Sequence, residues 1–206
     1  QVLIWTDSSL YSMRFVGPPF TFSFSLLATN ASIISPNAAV AVGDRVFWMD
    51  TENFFMYAGQ IQIIPCTVLR YVFDDINTDE TLKFFGGANR MFDEIFWFYC
   101  SSDSSDIDRY VKYNYAEGTW DIGSLSRTAW LDFGLLSKPR AAGYIDSANY
   151  IYDHETGTTA DGESMSPFIE SSVFSMGDGQ QFSFISRIIP DIDIASSDAT
   201  ASVNYI

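Results

Sequence analysis

One pattern recurs four times along the chain, and this repeat limits the folds open to it. Each copy is an apolar strand, a tight polar turn and an aromatic strand. The first copy is Trp5-Thr6-Asp7-Ser8-Ser9-Leu10-Tyr11, and the second runs from Trp48-Met49-Asp50 to Phe54-Phe55-Met56-Tyr57. The third, Ile95-Phe96-Trp97-Phe98-Tyr99, leads through a Ser/Asp loop to Arg109-Tyr110-Val111-Lys112-Tyr113; the fourth runs from Gly143-Tyr144-Ile145 to Asn149-Tyr150-Ile151-Tyr152. Trp5 and Trp48 are 43 residues apart, Trp48 and Trp97 are 49, and Trp97 and Tyr144 are 47. A period of about 40–50 residues is that of four-stranded β-propeller blades. A β-sandwich sets its turn signals without so long a repeat. A single blade leaves its two faces bare, and radial stacking covers each with the next blade.

The rest of the chain has the same texture. Strands are expected over 2–6, 10–16, 39–42, 45–49, 54–57, 94–99, 109–115, 149–152 and 182–189, separated by turns rich in Gly, Asp, Ser and Asn. Gly17-Pro18-Pro19 and Gly86-Gly87 read as turns. One short helix is expected over 77–85, with Asn77 or Thr78 as its N-cap. The stretch Tyr113-Asn114-Tyr115-Ala116-Glu117-Gly118-Thr119-Trp120 is a strand, a four-residue turn and a Trp that begins the next strand, as in a kelch blade. An ordinary hairpin with a buried Trp is the alternative. The fold class expected is therefore all-β, built of kelch-like four-stranded blades. Blades occupy 1–156; 157–206 holds a last blade or the start of a second β domain, after the loop at Gly157–Ser164. The chain starts at Gln1 inside a strand-like run and stops at Ile206 inside another, which leads to the expectation of a piece of a longer polypeptide.

Composition narrows the function. Aromatic residues make up 17% of the chain, which favours strands. The formal net charge is −15, from 26 acidic and 11 basic residues. Gripping nucleic acid takes Lys and Arg against phosphates, and an anionic membrane surface demands the same. Neither partner suits this balance. No apolar run is long enough for a transmembrane helix. Cys66 and Cys100 are read as buried, reduced residues without a disulfide.

Sites of chemistry are sparse. His154, beside Asp153, is the single histidine, and there is no Gly-x-Ser-x-Gly elbow; it reads as a surface or turn residue. One His and two distant Cys do not make zinc spacing. The stretch Asp103-Ser104-Ser105-Asp106-Ile107-Asp108 offers oxygens to calcium but lacks the glycine and distal Glu of an EF-hand loop, so a solvated acidic loop is expected. Asp191 and Asp193 alternate on an expected strand, which puts both on one face as half of a glycosidase pair or, more simply, on an exposed strand. No cofactor is expected.

Several stretches resemble a family of podophage tail proteins, the hub or nozzle proteins known as packaged-DNA stabilisation proteins. They include Val2-Leu3-Ile4-Trp5-Thr6-Asp7 with Phe15-Val16-Gly17-Pro18-Pro19-Phe20, and Val46-Phe47-Trp48-Met49-Asp50 through Tyr57-Ala58-Gly59. Ile64-Pro65-Cys66-Thr67-Val68 with Val72-Phe73-Asp74-Asp75-Ile76-Asn77, Glu94-Ile95-Phe96-Trp97-Phe98-Tyr99, Asp108-Arg109-Tyr110-Val111, Ser126-Arg127-Thr128-Ala129-Trp130 and Arg187-Ile188-Ile189-Pro190-Asp191 complete the likeness. It is one of texture and order, covers most of the chain and thins after residue 195. It implies a non-enzymatic propeller subunit of a virion tail, assembled in the host cytoplasm. Six copies would ring the DNA exit channel below the portal and its adaptor and retain packaged DNA, with double-stranded DNA passing without sequence-specific binding. In that setting Asp103, Asp106, Asp108, Asp161 and Glu163 are the candidate channel-lining residues, because acidic walls repel phosphates. The alternatives are a propeller glycoside hydrolase or a carbohydrate-binding module.

Overall fold

The computed structural model describes residues 1–134, 136–145, 148–157, 159–160, 162–165, 167–170, 184, 186–187 and 189. Of these, 47% lie in strands and 7% in helices, so the protein is all-β. It divides into two compact units, Gln1–Gly157 and Thr158–Ile206.

The first unit is a series of antiparallel sheets in which each strand pairs with the next in sequence. The first sheet holds β1 (Val2–Trp5), β2 (Ser9–Phe15) and β3 (Phe22–Thr29). The second holds β4 (Ala39–Val42), β5 (Arg45–Met49), β6 (Phe54–Tyr57) and β7 (Ile61–Ile64). A helical turn, α1 (Leu69–Phe73), and a 3-10 helix (Thr78–Lys83) then lead to the third sheet. That sheet holds β8 (Phe85–Asn89), β9 (Glu94–Tyr99), β10 (Arg109–Asn114) and β11 (Thr119–Ser124). The fourth holds β12 (Ala129–Leu131), β13 (Arg140–Ile145) and β14 (Ala148–Asp153). In the second unit β15 (Thr159–Ala160) pairs with β16 (Glu163–Ser164). Asp191 and Asp193 lie outside the described residues, as does much of the strand expected over 182–189.

Sequence alternation decides how the sheets stack. Successive side chains on a strand point to opposite faces. On β5, Phe47 and Met49 enter one core cluster and Trp48 enters another, and all three are fully buried. On β6, Phe54 joins the cluster of Phe47 while Phe55 and Tyr57 join that of Trp48. The second sheet is therefore apolar on both faces. One face packs on Leu3, Trp5 and Leu10 of the first sheet, the other on Ile95, Trp97 and Trp120 of the third. The third sheet repeats the device. Trp97 lies 4.9 Å from Phe54 of the second sheet, while Phe96, its neighbour in sequence, stacks 5.0 Å from Trp130 of the fourth. Buried tryptophans still need a partner for the indole N–H. Trp97 donates to the Ala38 carbonyl, Trp120 to Pro65 and Trp130 to Ala88, each a bond between one sheet and another sheet or its connection.

The structure departs from the sequence expectation at Gly86-Gly87 and at Trp5. Gly86 and Gly87 are not a turn; they sit inside β8. A Cβ on Gly86 would stand 2.4 Å from Val40 Cγ2 of the second sheet, and one on Gly87 would stand 2.7 Å from the Trp130 ring of the fourth. The glycines are there because neighbouring sheets approach this strand closely from both sides. The second departure concerns Trp5. It pairs with Leu10 across a turn closed by Thr6 N–H donating to Ser9 O at 2.8 Å. Met49 pairs with Phe54 across an equal turn, closed by Asp50 N–H donating to Asn53 O at 2.9 Å. Trp5 therefore corresponds to Met49, and Ile4 to Trp48. Trp5 and Trp48 instead meet edge to face at 5.5 Å, from opposing sheets. Trp5 is also only half-buried, where Phe47, Trp48, Phe96 and Trp97 are buried as expected.

The expected short helix forms as the 3-10 segment, with the Asn77 side chain accepting from Asp79 N–H at 3.1 Å. Cys66 and Cys100 carry free thiols; Cys100 is buried and Cys66 half-buried, and burial pushes both pKa values up to about 11. Because Trp48 is fully buried between two sheets, Trp48→Ala should cost about 3–5 kcal/mol in urea unfolding. An unchanged unfolding midpoint would contradict the stacking.

Candidate functional site

The residues of the expected acidic site are not all in one place. Asp103, Asp106 and Asp108 share the loop between β9 and β10, and Glu163 is an exposed residue of β16 in the second unit. Asp161 lies outside the described residues.

Within the β9–β10 loop the three carboxylates have separate roles. Asp103 and Asp106 are exposed. Asp108 is not a solvated loop carboxylate: its two oxygens accept from Ser101 N–H at 2.8 Å and Ser101 Oγ at 2.7 Å, so it clamps the two ends of the loop together. Asn77 Nδ2 donates to the Ser104 carbonyl at 2.9 Å, and Lys83 Nζ donates to the Ser105 carbonyl. Lys83 also lies 2.9 Å from Glu80 and 3.7 Å from Asp106. Its pKa is raised, chiefly by the hydrogen bond it donates to Glu80. The loop is thus held against the 3-10 helix by hydrogen bonds, and among the described residues no three His, Cys, Asp or Glu side chains gather to hold a metal ion.

Beside this loop lies a feature that the sequence reading missed. An open cavity of about 440 Å³ is lined by Arg70, Tyr71, Asp74, Asp75 and Arg109. Arg109 Nη1 donates to Ser124 Oγ at 2.6 Å, and its Nε stands 3.7 Å from Asp75 and 3.8 Å from Asp108. Among the described residues, that Nε and the fully buried Tyr99 hydroxyl have no hydrogen-bond partner. Burial raises the Tyr99 pKa, and the charge of Asp75 adds to it. The walls carry both signs of charge, which suits water or a small polar molecule better than an extended polyanion. Residues 74 and 75 stood out in the sequence only as part of a resemblance. Their approach to Arg109 depends on α1, a single turn too short to leave a helical period.

His154 is neither a surface residue nor a free base. It follows β14, with its ring 4.7 Å from Trp130, and its Nε2 accepts from Arg127 Nε at 3.1 Å. Arg127 is itself buried and lies 3.8 Å over the Tyr152 ring. Burial first, and the Arg127 charge second, push the His154 pKa down to about 4, with Asp153 opposing. A neutral imidazole with its lone pair taken by a guanidinium supports packing of the fourth sheet and leaves no general base there.

The remaining surface feature is apolar. On the first sheet Val2 pairs with Met13 and Met13 with Phe24; Ile4 pairs with Tyr11 and Tyr11 with Leu26; Phe15 pairs with Phe22. Alternation places all eight on the face turned away from the second sheet, and Phe15 and Phe24 are 71% and 62% exposed. In comparisons with known proteins, no family model and no curated sequence matches the chain.

The half-buried imidazole makes stability depend on pH. Above about pH 6.5 His154 is neutral in both folded and unfolded chains. Between about 6.5 and 4 the unfolded chain takes up a proton that the folded chain refuses, so stability is lost as pH falls through that window and levels off below it. His154→Gln keeps an acceptor for Arg127 but cannot titrate. The melting temperature of the wild type should fall relative to this variant between pH 7 and pH 4; a constant difference would contradict a neutral imidazole held against Arg127.

Proposed function

We propose that the chain is an arc of β-propeller blades in a structural component of a phage virion tail, a hub or nozzle ring through which DNA passes. The observation that carries the propeller part is the stacking of two four-stranded up-and-down sheets face to face, with the first strand of each beside the first strand of the next. Radial repetition of such sheets is what a propeller is. The third and fourth sheets continue the series in the same sense through the contact of Gly87 with Trp130.

The tail role rests on the resemblance of the chain to podophage hub proteins, with two physical supports. The net charge of −15 disfavours any lasting hold on DNA, so a channel built of such subunits lets the duplex slide. The broad uncharged face of the first sheet, with Phe15, Phe22, Phe24 and Leu26 exposed, suits packing against protein. Asp103 and Asp106 are the loop carboxylates with the exposure a repulsive rim needs.

Light scattering and negative-stain images of the purified protein test this reading. Closed rings of several copies are expected, with no retention of duplex DNA at physiological salt. A monodisperse 23.1 kDa monomer that binds an oligosaccharide would overturn it in favour of a carbohydrate-binding propeller.

A further inference from the structure

Every wall of the cavity beside the β9–β10 loop comes from residues 70–109, within the run 1–134 that the structure describes without a break. One wall is α1. Val72 is fully buried and Phe73 packs 5.4 Å from Phe54, so this single turn is anchored by its apolar residues. Arg70, Tyr71 and Asp74 are thereby turned outward, and all three are exposed. The facing wall is Arg109, at the start of β10. Its Nη1 is held by Ser124, while its Nε is 3.7 Å from Asp75, beyond hydrogen-bond reach. Asp75 spends its other oxygen on Ser102 Oγ at 3.3 Å.

Three properties select what this cavity can hold. The first is charge. Two guanidinium groups face two carboxylates, so the lining is balanced in a chain whose net charge is −15. An anion entering meets Asp74 and Asp75, and a cation meets Arg70 and Arg109. Arg70 and Asp74 stand four residues apart on one helical turn, yet among the described residues neither has an ion-pair partner. The second is hydrogen-bond direction. A guanidinium only donates and a carboxylate only accepts, whereas a hydroxyl does both. A molecule with adjacent hydroxyls can therefore use both kinds of wall at once. The third is shape. No aliphatic side chain lines the cavity, and its one broad apolar surface is the Tyr71 ring, 47% exposed. The volume, about 440 Å³, falls within the range of small-molecule sites.

We propose that this cavity is a binding site for a small uncharged polyol, a single sugar ring with adjacent hydroxyls. Arg70 and Arg109 donate to its oxygens, Asp74 and Asp75 accept from its hydroxyls, and the C–H face of the ring lies on Tyr71. The site is open on one side, so affinity is in the millimolar range. The inference stands on this cavity and does not depend on the tail reading.

The test is saturation-transfer NMR on the whole chain with methyl α-D-glucopyranoside, methyl α-D-galactopyranoside and methyl α-D-mannopyranoside, which differ in how their hydroxyls are arranged. At least one should give a saturable signal below about 50 mM. Tyr71→Ala and Asp74→Asn should each weaken it by at least about fivefold, as expected for the loss of one contact. Both positions are exposed, and unchanged circular dichroism verifies that the variants fold. Glu117→Gln, in the β10–β11 turn, should bind as the wild type does. Absence of saturation by all three glycosides at about 50 mM would overturn the inference. So would undiminished binding by both cavity variants, or saturable binding of glycine or inorganic phosphate in place of the glycosides. Oligomeric state is read separately: rings that bind a glycoside satisfy both readings, and rings that bind none overturn this one alone.

Discussion

The architecture depends on how closely β8 can be approached. Two consecutive residues of this strand have no side chain, and on one side stands Val40 of β4, on the other the Trp130 ring of β12. Any Cβ at Gly86 or Gly87 would stand under 3 Å from those atoms. Interiors are packed to crystal-like density, so a missing side chain is matched by a neighbour that fills its space. Here the neighbours are the first strands of the sheets on either side. The backbone responds in kind: Gly86 N–H donates to the Asn37 carbonyl at 2.8 Å, and Asn37 and Phe85 form a parallel bridge between the two sheets.

Beyond that seam aromatic residues fill the space between the sheets. Phe54 touches Trp97 and Trp120 at 4.9 and 4.7 Å, and Trp120 in turn sits 4.6 Å from Tyr113. Small residues lie on the first strands at this seam, and large ones lie on the strands beyond it. The same logic explains why strands β5, β6 and β9 read as nearly continuous apolar runs: both of their faces are covered. Polar chemistry is displaced to the connections, where Asp108 ties its loop and Arg109 gathers Asp75 and Ser124.

How much of this was legible in the sequence varied with how local the cause was. The strands over 39–42, 45–49, 54–57 and 94–99 match β4, β5, β6 and β9 residue for residue, because aromatic and β-branched runs between turn residues are local signals. The Asn77 cap was equally local. Gly86-Gly87 was misread because the reason for two glycines in a strand lies 46 residues away at Val40 and 43 residues away at Trp130. Trp5 was matched to Trp48 by residue type, although turn length matches it to Met49; the face a residue occupies, not its identity, is what the repeat preserves. β3 and β7 went unseen: Phe22-Ser23-Phe24-Ser25 alternates but follows a Pro-rich turn, and Ile61–Ile64 is only four residues long. At the candidate site, the exposure of Asp103 and Asp106 followed from a polar loop and the Asp108 clamp closes within that same loop, while the Arg109–Asp75 cavity and the half-buried His154 depend on partners distant in sequence.

A double-mutant cycle between Gly86 and Val40 tests the seam most directly. If β4 and β8 are pressed together there, Gly86→Ala alone should destabilise the protein by about 1–3 kcal/mol through overpacking, while Val40→Ala removes the methyl that the new Cβ would strike. The double variant should then be more stable than the sum of the two losses by at least about 1 kcal/mol. Losses that add to within about 0.5 kcal/mol would mean that the two strands do not touch, and the stacked arrangement of sheets would fall with them.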